Sequence, residues 1–138
     1  RFQGFELGWT HMGDDTLDAS GARVMGGLGI NWNGRWGDDR LIGSSGADTL
    51  VGDEGRDTIA GGAGNDALWI GRDRTADGDV DTIIFRAGDG QDTIYGFGSE
   101  DVLDLGGRDY HARETSAGTL LDLGGGDTIL LAHVLDFV

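Results

Sequence analysis

The residues of this sequence that could do chemistry are carboxylates set at a fixed interval. Asp39, Asp48, Asp57 and Asp66 follow one another nine residues apart, one in each of four consecutive nonapeptides: GRWGDDRLI from Gly34, GSSGADTLV from Gly43, GDEGRDTIA from Gly52 and GGAGNDALW from Gly61. Every copy has Gly at positions 1 and 4, Asp at 6 and a large aliphatic at 8. Of the 25 acidic side chains, 21 are Asp, although a merely solvated acidic surface has no reason to prefer the shorter side chain. Aspartate suits turns and short-reach ligation, so the chemistry implied is oxygen donation to a hard cation. The same phase returns at Asp81-Thr-Ile83, Asp92-Thr-Ile94 and Asp101-Val-Leu103, after intervals of 15, 11 and 9 residues. Outlying copies sit at Asp15-Thr-Leu17 and Asp127-Thr-Ile129.

The elements that must position these carboxylates follow from the period. Positions 7 to 9 form a minimal strand in which alternation points only position 8 inward. Positions 1 to 6 must then reverse the chain, and Gly permits positive φ and close convergence of carbonyls there. Two nonapeptides make one coil of eighteen residues, which stacks Asp39 over Asp57 and Asp48 over Asp66 at a strand spacing of roughly 4.8 Å. Such ladders repel themselves unless a cation sits between the carboxylates.

In this repeat the chain resembles the RTX family, whose nonapeptide G-G-x-G-x-D-x-U-x is a calcium-binding β-helix repeat. The resemblance is most specific over residues 34–69 and extends over 76–105, where the stretch from Asp81 to Phe97 looks like one that closes such arrays. It implies an all-β fold: a parallel β-roll, a right-handed β-solenoid of two short parallel sheets with calcium-binding turns and capping segments. The expected organisation is one domain over 1–138, with irregular coils at 1–33, regular repeats at 34–69, degenerate repeats with an insertion at 70–104 and a C-terminal cap at 105–138. The resemblance also implies export unfolded through a type I secretion system of a Gram-negative bacterium, and folding on meeting external calcium.

Donor chemistry selects the same ion. Ca²⁺ accepts six to eight oxygens in flexible geometry and takes backbone carbonyls readily, whereas Mg²⁺ demands near-ideal octahedra. Zinc lacks its usual ligands, because there is no Cys and His11, His111 and His133 are remote from the repeats. The expected ligands are Asp39, Asp48, Asp57 and Asp66, joined by loop carbonyls at Gly37, Gly43, Gly46, Gly52, Gly55, Gly61 and Gly64. Asp81, Asp92 and Asp101 form a second tier, since insertions offset the first two. Several ions are expected. Two inward side chains per eighteen-residue coil cannot offset the entropy of ordering it, so metal binding should supply folding free energy.

Composition excludes other functions. A net charge of −15, with 10 Arg and no Lys, repels nucleic acid and anionic lipid. No apolar run approaches the ~18 residues of a membrane span, and no signal-peptide pattern opens the chain. Gly at 28 of 138 positions rules out helical bundles. Catalysis is not expected in this segment. Asp14-Asp15 and Asp38-Asp39 diverge as sequence neighbours, no nucleophile elbow surrounds any Ser, and the Gly loops lack a Walker Lys. The chain begins at Arg1 and reads as a piece of a longer protein, in which an enzyme could lie upstream. The alternative function is an extracellular binding, adhesion or self-assembly module, directed at sugar, ice or a cell surface through Trp36, Trp69, Arg35, Arg40 or Arg72. Against it, Trp9 and Trp32 are expected to pack the first coil and Trp69 to lie under the insertion. The ending Asp136-Phe137-Val138 looks like the acidic-then-apolar termini of some type I secreted proteins.

Overall fold

The computed structural model describes residues 7–9, 13–21, 28–71 and 79–134. The side chain of Trp9, the insertion at 72–78 with Arg72, His11 and the terminal Asp136-Phe137-Val138 lie outside the described residues. Among the described residues there is no helix, and thirteen strands follow in order: β1 (Leu7–Trp9), β2 (Thr16–Asp18), β3 (Leu28–Trp36), β4 (Arg40–Ile42), β5 (Ala47–Glu54), β6 (Thr58–Ala60), β7 (Ala67–Trp69), β8 (Thr82–Ile84), β9 (Gln91–Tyr95), β10 (Val102–Asp104), β11 (His111–Thr115), β12 (Gly118–Gly124) and β13 (Asp127–Ala132). They form an eight-stranded sheet ordered β1-β3-β5-β7-β9-β13-β12-β11 and a five-stranded sheet ordered β10-β8-β6-β4-β2. Up to β10, strands from β3 onward alternate between the two sheets, and every pairing among them is parallel. The protein is therefore an all-β parallel solenoid, a β-roll.

Short strands and Gly loops make this arrangement obligatory. β4, β6 and β7 are the three-residue strands the nonapeptide predicts, whereas β3 and β5 run on through positions 1 to 3 of the next repeat. In every coil the Gly-rich loop then turns the chain across to the other sheet. The aliphatic at position 8 sets the register. Leu41 pairs with Ile59 and Ile59 with Ile83 in one sheet, while Leu50 pairs with Leu68 and Leu68 with Ile94 in the other. The intervals of 15 and 11 residues leave this register intact, because the extra residues are spent in loops.

The core is thicker than one inward residue per strand. Leu41, Leu50, Ile59, Leu68, Ile83 and Ile94 are fully buried as expected. A second inward column runs two residues further on. In the five-stranded sheet it reads Ala19, Gly43, Gly61, Phe85 and Leu105; in the other it reads Gly34, Gly52, Ile70 and Gly96. All nine are buried. The column is glycine in the middle of the roll, where Asp Oδ2 takes the place of a Cβ, and apart from Gly96 it is an apolar side chain elsewhere. Trp32, expected to pack the first coil, is 1% exposed in the core beside Ile30.

The C-terminal segment changes the pairing rule. β13 joins β9 in parallel, and β12 and β11 then add antiparallel. The copy Asp127-Thr-Ile129 does not continue the phase of Asp92-Thr-Ile94: Ile129 faces Asp92 and Leu131 faces Ile94, a two-residue slip. A slip of two keeps the same side chains inward, so Leu121, Ile129 and Leu131 all reach the core.

With so few inward side chains per coil, each should matter. Ile59→Ala is expected to cost about 2–5 kcal/mol, measured by chemical denaturation in excess calcium.

Candidate metal centre

Position-6 aspartates are brought together in two ladders, one along each edge of the roll. In the first, the N–H of Asp15 donates to Oδ1 of Asp39 (2.8 Å), that of Asp39 to Asp57 (2.9 Å), that of Asp57 to Asp81 (2.7 Å) and that of Asp81 to Asp101 (3.0 Å). In the second, Ile30 donates to Asp48 (2.8 Å), Asp48 to Asp66 (2.8 Å) and Asp66 to Asp92 (3.0 Å). The backbone carbonyls of these aspartates are clamped as well: Thr58 donates to Asp39, Thr82 to Asp57, Thr93 to Asp66 and Val102 to Asp81, at 2.8–2.9 Å. Asp39, Asp48, Asp57, Asp66, Asp81 and Asp92 are each at most 3% exposed. Asp101 is half-buried. Backbone N–H groups thus tie Oδ1 of each carboxylate to the neighbouring coil.

That leaves the second oxygen of each carboxylate. Oδ2 of Asp39 and of Asp66 is buried and accepts no hydrogen bond. The same holds for Asp15, which was noted only as an outlying copy of the motif. An anionic oxygen buried without a partner is costly, which favours uptake of a proton or a cation. The glycines of position 1 show where. A methyl group added at Gly34 would collide with Oδ2 of Asp39 and lie 2.9 Å from the carbonyl of Gly52. At Gly52 it would collide with Oδ2 of Asp57 and lie 2.7 Å from the carbonyl of Ile70; at Gly61 it would collide with Oδ2 of Asp66. In each such cradle the carboxylate oxygen thus fills the space that a Cβ would take, with a carbonyl of the next coil beside it at Gly34, Gly43 and Gly52. Position 4 contributes too, because Gly37, Gly55 and Gly64 have φ of 119°, 123° and 112°. Their stacking brings the carbonyl of Gly37 against Gly55 and that of Gly46 against Gly64.

The donor set fits a hard divalent ion. Among the described residues no three Asp, Glu or His side chains converge on one point, so each cradle offers a single carboxylate and otherwise carbonyl oxygen, which Ca²⁺ accepts and Zn²⁺ does not favour. The Asp48 cradle differs: Ser44 at position 2 donates its N–H to Oδ2 (2.6 Å) and its hydroxyl to Oδ1 (2.7 Å). A methyl at Gly43 would still collide with Oδ2 of Asp48 and the carbonyl of Gly61. Asp81 and Asp92, ranked lower because insertions separate them, occupy ladder positions like the rest. Gly34 and Asp15 were missed as site residues, though their motif positions were legible.

The chain matches the RTX calcium-binding nonapeptide repeat, in four copies, over residues 33–68 and 76–107. It belongs to this family. RTX repeats are structural calcium-binding modules, and both matched segments fall on the coils that carry the two ladders. A search of the curated proteins found no matching relative.

Burial sets the electrostatics of this RTX array. Desolvation pushes Asp39 up to about 6, against the N–H of Asp15 that lowers it and with Asp15, Asp14 and Asp38 adding to the rise. Desolvation likewise pushes Asp66 to about 8 and Asp92 to about 7, with neighbouring carboxylates adding to both. Asp48 is raised for the same first reason, opposed by Ile30 and Ser44.

Two outcomes follow. Carboxyls whose folded pKa lies above the unfolded value stabilise the metal-free fold at acid pH and cease to do so as pH rises through about 6 to 8. The chelated protein should therefore gain β structure on acidification from pH 8 towards 4, and the calcium midpoint should rise as pH falls through that window, because protons compete for the same oxygens. Gly61→Ala should fill a cradle and weaken calcium binding by about 1–3 kcal/mol, read as a rise in the midpoint of a calcium titration.

Proposed function

We propose that this chain is a calcium-driven folding module of a secreted Gram-negative bacterial protein, residues 1–138 acting as one unit. It passes the export machinery unfolded at low calcium and becomes a stable, capped roll outside. The single observation behind this reading is a buried carboxylate oxygen without a hydrogen bond at Asp39 and Asp66, each seated over the position-1 glycine of its own repeat. Calcium placed there would complete its shell with carbonyls of the adjacent coil and neutralise the ladder. Asp39, Asp48, Asp57 and Asp66 serve as principal ligands, with Asp81, Asp92, Asp101 and Asp15 extending the rows. The carbonyls come from Gly37, Gly43, Gly46, Gly52, Gly55, Gly61 and Gly64. The ion's role is structural, because its protein donors are buried within the stack. The segment from 105 onward acts as the cap: β13 extends the parallel sheet at β9, and β12 and β11 add to it antiparallel.

The binding-module alternative draws on Trp36, which is 42% exposed. Trp32 is buried, however, and Trp69 lies half-buried with its ring stacked on Tyr95 at 4.2 Å and 19°. Rings that cover one another across coils offer less free face to a sugar, which favours the scaffold reading.

A calcium titration followed by far-UV circular dichroism tests the proposal. Excess chelator at pH 7.5 is expected to abolish most β signal and calcium to restore it cooperatively; β structure unchanged by chelator would refute it. Asp66→Asn should shift the midpoint to higher calcium by roughly tenfold or more, while exposed Asp109→Asn should leave it in place.

A further inference from the structure

The carboxylate beyond the second ladder is handled differently from those within it. Asp127 is 5% exposed. Its Oδ1 accepts the N–H of Gly90 (3.1 Å), and its Oδ2 accepts the N–H of Gly88 (2.9 Å) together with Nη1 of Arg108 (3.0 Å). The same guanidinium donates from Nη2 to the carbonyls of Leu123 (3.0 Å) and Gly124 (3.4 Å). A cation thus sits among one buried carboxylate and two backbone carbonyls, the same kinds of oxygen that the repeat loops present, but here the cation belongs to the chain. Asp127 reaches this point through the two-residue slip of β13 on β9, where Thr128 donates to the carbonyl of Gly90 (3.0 Å).

We propose that Arg108 is a built-in cation that takes the place of a metal ion at the end of this ladder, so that the junction of β9 with β13 forms without calcium. This rests on the reading that the rest of the roll requires calcium. Arginine is suited to the task, because its planar fork satisfies a carboxylate and carbonyls at once and never loses its charge. Being tethered, it is present at the same effective concentration whatever the calcium level. The remaining charged neighbours are Asp92, Asp89, whose N–H bonds the carbonyl of Arg86, and Arg86 itself. Arg86 is engaged at the other sheet's edge, donating to the carbonyls of Phe85 and Asp104 and to the Asp104 carboxylate. Hydrogen bonding from Gly88 and the Arg108 guanidinium hold Asp127 below the usual carboxylate range, opposite to Asp66 and Asp92. The ladder accordingly ends where an internal charge replaces an external one, and the strands beyond it have no metal requirement of their own.

Amide hydrogen exchange on the full chain, with calcium and with chelator, tests this. In chelator the amides of Gly88, Gly90 and Thr128 should stay protected while those of Asp48 and Thr58 lose protection. Arg108→Gln should speed exchange at the first three by about 10- to 100-fold, the equilibrium factor of a charged hydrogen bond, and Arg108→Lys should restore part of it. Gly88, Gly90 and Thr128 exchanging in chelator as fast as Thr58, or an Arg108→Gln variant with unchanged protection there, would overturn the proposal. Should Asp48 and Thr58 also stay protected in chelator, calcium-driven folding is what fails, and the Arg108→Gln comparison still decides the role of Arg108. Protection at Asp48 and Thr58 in calcium serves as the folding control for both variants.

Discussion

Everything in this roll depends on one conflict: the backbone stacks buried carboxylates, and buried carboxylates side by side repel. The stacking is not negotiable, because strand pairing fixes the coil spacing and each aspartate is clamped by its own N–H and carbonyl. One oxygen per side chain is satisfied within the ladder. The other is buried without a hydrogen bond at Asp39 and Asp66, and desolvation raises the affinity of Asp39, Asp66 and Asp92 for protons to near neutrality. A fold that holds its acids this way is poised to take up positive charge, as protons when acidified and as a divalent ion otherwise.

The core answers the same constraint. Where the second inward column is glycine, at Gly34, Gly43, Gly52 and Gly61, the carboxylate of the same repeat fills the space a Cβ would take, and the position contributes no apolar burial. Where that column becomes Ala19, Ile70, Phe85 or Leu105, apolar contact takes over. Buried carboxylate and hydrophobic side chain therefore exchange places along this column of the solenoid, according to the position-1 residue. The terminal Arg108–Asp127 pair extends this substitution to charge itself.

Much of this was legible in the residues. Period nine with Gly at 1 and 4 and an aliphatic at 8 dictates short parallel strands and tight loops, because no other structure accommodates that alternation with so many glycines. The prevalence of Asp over Glu pointed to short-reach ligation, and the repeat phase named the carboxylates. Less legible was the use of each oxygen. That Oδ1 would be consumed by a backbone N–H eighteen residues away, or that Ser44 would occupy Asp48, depends on coil-to-coil geometry that no local pattern encodes.

By itself the sequence determined the solenoid, its inward aliphatics and the acids that line its edges, since all three follow from periodicity within nine residues. Only the tertiary structure decided register across the irregular intervals. Asp81 and Asp92 rejoin the ladders despite the extra residues before them, because pairing of Ile59 with Ile83 and Leu68 with Ile94 outweighs the cost of a longer loop. It also decided that Asp127 leaves the phase and meets Arg108. A repeat motif specifies what each coil can offer; which coil it faces, and with what slip, is settled by burial of the apolar strands that come after it.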